Sequence, residues 1–178
     1  MVFLRNRWIC FAFSGLLLTA LTGCGPLVIK SNPSTFSVPA DAAAQLVKQQ
    51  SVALNNAYKA ETQVRIFTGT RDWQGDLQQY TDTAISLLGR EMTKKGTDLS
   101  PQSAKTITLR VRDVQASPGW VIRSVLVLEA QYGDGTSSTI ASENTSPSDA
   151  WRAVDGAIMR AVSQLLRDDK FLAYVNRQ

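Results

Sequence analysis

Apolar residues recur every three to four positions from 72 to 95. Trp73, Leu77, Tyr80, Ala84, Leu88 and Met92, with Leu87 beside them, form one stripe and predict a helix. Asp72 and Asp76 fall near its positive end and Lys94 and Lys95 near its negative end, with Gly96 closing it. A second stripe, Trp151, Val154, Ile158, Val162 and Leu165, predicts a later helix, and Ala157 and Ala161 permit close approach. Ser146 reads as its cap, Pro147 as its first turn and Asp149 as the capping-box acid. Between and before these helices the period drops to two. Residues 63–68, 105–114, 120–132 and 136–144 read as strands. In the third of them Trp120, Ile122, Leu126, Leu128 and Tyr132 fall on one face and Val121, Val125 and Val127 on the other, the mark of an interior strand. Gly133-Asp134-Gly135 predicts a hairpin, and the polar strand after it reads as an edge. Residues 41–50 read as a helix followed by an extended piece containing Val52 and Leu54, and Phe171, Leu172, Tyr174 and Val175 as a closing turn. The expected fold is α+β, a two-layer sandwich in which two amphipathic helices cover a mostly antiparallel four-stranded sheet, in the order strand-helix-strand-strand-strand-helix.

The amino terminus follows a different pattern. Arg5 and Arg7 precede Trp8 to Leu21, which carries no charge. This apolar run is shorter than the roughly 20 residues a membrane-crossing helix needs, and it reads as an export signal. Leu21-Thr22-Gly23-Cys24 closes the run and resembles a bacterial lipobox. The resemblance implies a signal over 1–23, a diacylglyceryl group on the Cys24 sulfur and acylation of the new amine. Each acyl methylene contributes about 0.8 kcal/mol of membrane binding, and two or more chains anchor stably. Gly25 rather than aspartate follows the cysteine. In Gram-negative lipoproteins that pattern implies sorting to the outer membrane, with the body on its periplasmic face. Residues 24–40, with Pro26, Pro33 and Pro39, read as the lipidated cysteine and an extended tether that reaches at most about 50 Å. Leu27, Val28 and Ile29 either lie on the lipid or dock on the body. Residues 41–178 then form a single periplasmic domain.

Cleavage changes the composition. The full chain carries +4. Removal of residues 1–23 takes two arginines and no acids, which leaves +2 over 155 residues. That balance does not suggest a nucleic-acid partner. The cysteines are Cys10, inside the signal, and Cys24, and the chain has no histidine. The commonest general base, the usual zinc ligand and a free thiol are thereby excluded from the mature chain. No metal, no catalytic residue and no cofactor beyond the covalent lipid on Cys24 is expected.

The remaining candidate chemistry is sparse. Asp72, Asp76, Asp82 and Glu91 on one helix, and Asp168-Asp169 after the other, are possible carboxylate pairs, although helix ends and solvated faces attract acids without catalysis. Asp134 lacks the ligand series of a calcium loop. Thr68-Gly69-Thr70-Arg71 precedes a helix start that suits an anion, but local capping explains it better. Ser103 and Lys105 are too isolated for a dyad, and Asn144-Thr145-Ser146 reads as a cap rather than a glycosylation site. If the strand phases hold, the sheet face away from the helices carries Arg65, Phe67, Arg110, Arg112, Arg123, Val125 and Val127. Arginines among apolar groups suit an envelope protein or an anionic envelope polymer. The competing reading is an ordinary solvated face, or one covered by residues 40–60.

The lipobox, the strand-helix-strand-strand order and the helix ending near Leu165-Leu166-Arg167-Asp168-Asp169-Lys170-Phe171-Leu172 resemble outer-membrane lipoproteins of the YajG kind. More loosely they are similar to auxiliary lipoproteins of ABC transporters and the N-terminal domain of TolB. The resemblance implies a small α/β domain without assigned catalytic residues. The expected role is a non-enzymatic accessory or docking component of transport or cell-wall machinery. A module binding a small apolar ligand is the alternative, and a carboxylate hydrolase a more remote one.

Overall fold

The computed structural model describes residues 25–32, 36–47, 51–67 and 72–177. Eight strands, β1 (Leu27–Ile29), β2 (Ser51–Asn56), β3 (Gln63–Phe67), β4 (Trp73–Asp76), β5 (Asp98–Leu99), β6 (Thr106–Ser117), β7 (Ile122–Tyr132) and β8 (Ser137–Ser146), form two mixed sheets among these residues. The larger has the order β5-β2-β6-β7-β8 and the smaller β1-β4-β3. Three helices, α1 (Leu77–Lys94), α2 (Ala150–Leu165) and α3 (Asp169–Asn176), complete the layered α+β fold. The expected class holds, but the single antiparallel sheet becomes two. β2 pairs parallel with both β5 and β6, and β1 pairs parallel with β4.

Alternation sets the layers. Ile107, Leu109 and Val111 of β6 and Leu126, Leu128 and Ala130 of β7 point into the core. They meet Tyr80, Ala84, Leu87, Leu88 and Met92 of α1 and Val154, Ala157, Ile158, Ala161, Val162 and Leu165 of α2. Full burial of one such aliphatic side chain contributes about 1.5–3 kcal/mol. β7 lies between β6 and β8, as its two apolar faces required, and β8 is an edge. The hairpin joining them follows its Asp-Gly signal. Gly135 adopts φ +86°, and Asp134 accepts from the Thr136 backbone and hydroxyl.

Boundaries moved where tertiary pairing overrode periodicity. The helix expected from 72 begins at Leu77, because Trp73–Asp76 pairs on both sides as β4. Asp76 caps it, accepting from the Gln78 N–H at 3.0 Å. Trp73 therefore leaves the helical stripe and packs on Phe67, with centroids 5.1 Å apart. β6 runs on to Ser117 through a bulge at Arg112–Asp113, which returns Val114 and Ala116 to the core. β7 begins at Ile122, so Trp120 stands in the turn rather than on the strand. β8 continues to Ser146, whose hydroxyl accepts from Ser148 and Asp149, and α2 starts at Ala150 with Asp149 as cap residue. The closing turn is a helix, α3, capped by Asp168 through the Phe171 N–H at 2.9 Å. The expected helix over 41–50 is a 3-10 turn at Ala40–Ala43, and residues 48–50 lie outside the described residues.

Of the two places open to Leu27, Val28 and Ile29, the structure has the second, docking on the body: Leu27–Ile29 is a sheet strand, and Ile29, Val38, Ala42, Ala43 and Leu46 are core residues. The Tyr80 hydroxyl donates to the Ile29 carbonyl at 2.6 Å. Close approach makes this possible: a Cβ on Gly75, the β4 partner of Ile29, would overlap the Tyr80 ring and hydroxyl. The Ser31 N–H donates to Gln79 Oε1 at 3.2 Å. The Asp155 carboxylate accepts from the Ser31 hydroxyl and, at 3.0 Å, from the Asn32 N–H.

Asp155 is almost wholly buried. Burial raises its pKa above the ordinary 3.8, and the two hydrogen bonds only partly oppose this. The folded state therefore binds the proton more tightly than the unfolded chain. Stability from this group is complete below the unfolded pKa and declines as pH rises through the raised folded value. Urea titrations across that range should show wild type losing stability relative to Asp155→Asn as pH rises. A relative gain would mean that the hydrogen bonds to the carboxylate outweigh its burial.

Candidate functional site

The outward face of the five-stranded sheet is built by alternation, interrupted on β6 by the bulge. Arg110 and Arg112 leave β6 opposite Leu109 and Val111, and the bulge exposes Asp113 as well. Arg123, Val125 and Val127 leave β7 on the same face, with Glu129 and Gln131 farther along. β8 contributes Thr139, Ala141 and Glu143. Five of the seven expected residues thus share this face. Arg65 and Phe67 belong to β3 in the smaller sheet, where Arg65 pairs with Asp72 at 3.3 Å and Phe67 packs on Trp73.

The face is ion-paired rather than simply cationic. Arg112 meets Glu129 at 2.9 Å, and Arg123 meets Glu143. The Arg123 hydrogen bond holds Glu143 below the usual carboxylate range. Arg110 lies over the Tyr58 ring, 5.7 Å from its centroid, while the Tyr58 hydroxyl donates to the Val111 carbonyl at 2.8 Å. Exposed pairs of this kind contribute little to stability, so a partner's charges can replace them at small cost. An open depression crosses the face, lined by Thr108, Arg110, Glu129, Gln131 and Thr139. Sequence reasoning missed Glu129, Glu143 and Tyr58. The hairpin signal held the clue to the glutamates, since counting back from Asp134-Gly135 puts Glu129 opposite Thr139 and Val125 opposite Glu143.

The candidate carboxylates are spread over the body. Asp76 caps α1, Asp82 accepts from Asn56 at 2.7 Å, and Glu91 accepts from Lys94 at 2.7 Å. Asp168 caps α3 and also accepts from the Ser138 hydroxyl. Asp169 lies in the first turn of α3. Ser103 donates to the Ser51 carbonyl at 2.7 Å, whereas Lys105 Nζ reaches the Val175 carbonyl at 3.2 Å, so the two do not face each other as a dyad. Asn144 reaches the Arg152 and Ala153 carbonyls of α2 from within β8. Among the described residues no three carboxylates converge as a metal site would require, and no helix is long and apolar enough to cross a membrane. Cys24, Leu21-Thr22-Gly23 and Thr68-Gly69-Thr70-Arg71 lie outside the described residues. The described chain starts at Gly25, two residues before β1.

No family model matches the chain, and no curated protein matches it. Among solved structures it is similar to a Xanthomonas campestris protein of the family DUF330, at 18% identity and TM-score 0.48, covering 85% of this chain and 95% of that one. It is also similar to a minor lipoprotein from Acinetobacter baumannii, at 15% identity and TM-score 0.36, with 71% and 94% covered. A PelC variant dodecamer from Paraburkholderia phytofirmans matches at 15% identity and TM-score 0.35, with 75% and 95% covered.

Proposed function

We propose that this chain is a non-enzymatic lipoprotein, held by Cys24 on the periplasmic face of the outer membrane, that docks another envelope component on its outer sheet face. The observation that carries the reading is the lipobox Leu21-Thr22-Gly23-Cys24 at the end of a short uncharged segment. The fold adds a constraint. β1 begins at Leu27, so about 10 Å of chain separates the lipid acceptor from the body, far less than a free tether would allow. The domain is held close to the bilayer rather than at a distance.

The docking surface is the face bearing Arg110, Arg112, Arg123, Val125 and Val127. Its paired charges suit a protein partner of mixed charge better than a uniformly anionic polymer, because complementarity rather than net charge then selects the partner. The space between sheet and helices is filled by fully buried residues such as Tyr80, Leu87, Leu109, Leu126 and Ile158. That packing does not favour the apolar-ligand module.

Two measurements test this reading. Labelled palmitate should enter the wild-type chain in bacterial cells, and Cys24→Ser should abolish both labelling and membrane fractionation; an unlabelled wild type contradicts lipidation. A photo-crosslinker at position 125 should capture a discrete envelope protein in intact cells, and Arg110→Glu with Arg112→Glu should lower the yield. Capture unaffected by those charge reversals would remove the outer face as the docking surface.

A further inference from the structure

We infer that the β6–β7 hairpin tip, Trp120 with Val121, rests in the headgroup region of the membrane that holds the amino terminus. This inference rests on the lipid anchorage proposed above. Trp120 is completely exposed, at 103% of its reference area, and Val121 is 45% exposed. A fully solvated tryptophan forfeits the burial that its large apolar surface would otherwise gain. The tip sequence, Ser117-Pro118-Gly119-Trp120-Val121, presents that ring at the end of two long strands, away from the core.

The fold places the start of the described chain at the same end. β2 runs parallel to β6, and by Tyr58 the chain has reached the level of Val111. β3 packs on β6, and its antiparallel partner β4 leads into α1, whose Thr81 hydroxyl accepts from the Val111 N–H, so β3 starts and β4 ends at that level. β1 runs parallel to β4, with Leu27 opposite Trp73, so β1 starts where β3 ends. A second line of contacts agrees. Ser31 bonds Asp155, in the second turn of α2, which begins just past the tip-proximal end of β8. Farther on, Asp41 pairs with Arg167, and Val47 bonds Asn176, at the opposite end beside α3. Traced backwards, the described chain therefore approaches the hairpin tip as it nears Gly25. Val28, 44% exposed, and Val125 add apolar surface toward this end. Four of the six exposed large apolar residues among those described thus gather near the anchored end. Tryptophan suits this place, since its ring partitions to the interface while its N–H stays hydrogen-bonded. The acyl chains hold the molecule to the bilayer, and the tip fixes its tilt.

The test uses the full lipidated chain in phosphatidylethanolamine–phosphatidylglycerol vesicles, with and without brominated acyl chains. Flotation reads the anchor, and quenching of tryptophan emission reads the tip. Trp73 and Trp151 emit as well, so the informative quantity is the quenching lost in Trp120→Phe, a variant whose side chain has no core contact to lose. The inference expects flotation of both proteins, with bromine quenching in wild type that is lost in the variant. Equal quenching in the two, with flotation intact, overturns the tip contact and leaves lipid anchorage standing. Failure of the wild type to float overturns both.

Discussion

The attachment of residues 27–32 to the body governs how the rest of the molecule can act. Four kinds of contact hold it: backbone pairing of β1 with β4, the Tyr80 hydroxyl on the Ile29 carbonyl, Gln79 on the Ser31 N–H, and the buried Asp155 carboxylate on Ser31 and Asn32. Each hydrogen bond contributes about 1 kcal/mol net, and breaking one leaves a buried group unsatisfied at greater cost. Burial of Ile29 adds the hydrophobic share. A lipid on Cys24 would therefore pull on a sheet strand rather than on a slack leader. Orientation at the membrane becomes a property of the fold.

The same attachment explains why the smaller sheet exists. β3 and β4 form only a short two-stranded ribbon without β1, and such ribbons are marginal in water. β1 supplies the third strand, and Tyr80 ties it to α1. The larger sheet needs no such support. Its long antiparallel strands bury one face under α1 and α2 and expose the other, where ion pairs and a cation–ring contact blunt the charge of Arg110, Arg112 and Arg123.

The period-2 and helical stripes of the chain made β6, β7, β8, α1 and α2 legible, along with the hairpin at Asp134-Gly135. Local signals misled where two patterns overlap. Trp73 lies four residues before Leu77 and so fits a helical stripe, yet β1 and β3 flank it and draw it into a strand. Ser146 and Pro147 look like a helix start, yet the ladder with β7 extends to Ser146 and delays the helix to Ala150. The apolar run Leu27–Ile29 left docking on the body open, but no local feature records a parallel partner more than forty residues away. Of the candidate face, the phases of Arg110, Arg112, Arg123, Val125 and Val127 were readable. Their neutralisation was readable only in part: the hairpin register puts Glu143 beside Arg123, whereas Glu129 meets Arg112 across the β6–β7 ladder, whose register the β6 bulge shifts. Trp120 shares the strand phase of Ile122 and Leu126, yet the turn after Ser117 extends through Val121, so β7 begins only at Ile122 and Trp120 stands outside it.

Hydrogen–deuterium exchange of the full chain tests the central claim most directly. If β1 is integral to the fold, amides of residues 27–32, including Leu27 bonded to the Asp72 carbonyl, exchange as slowly as those of β4. Exchange of 27–32 at the rate of unstructured chain, while α1 and β7 stay protected, would contradict it and restore a free tether.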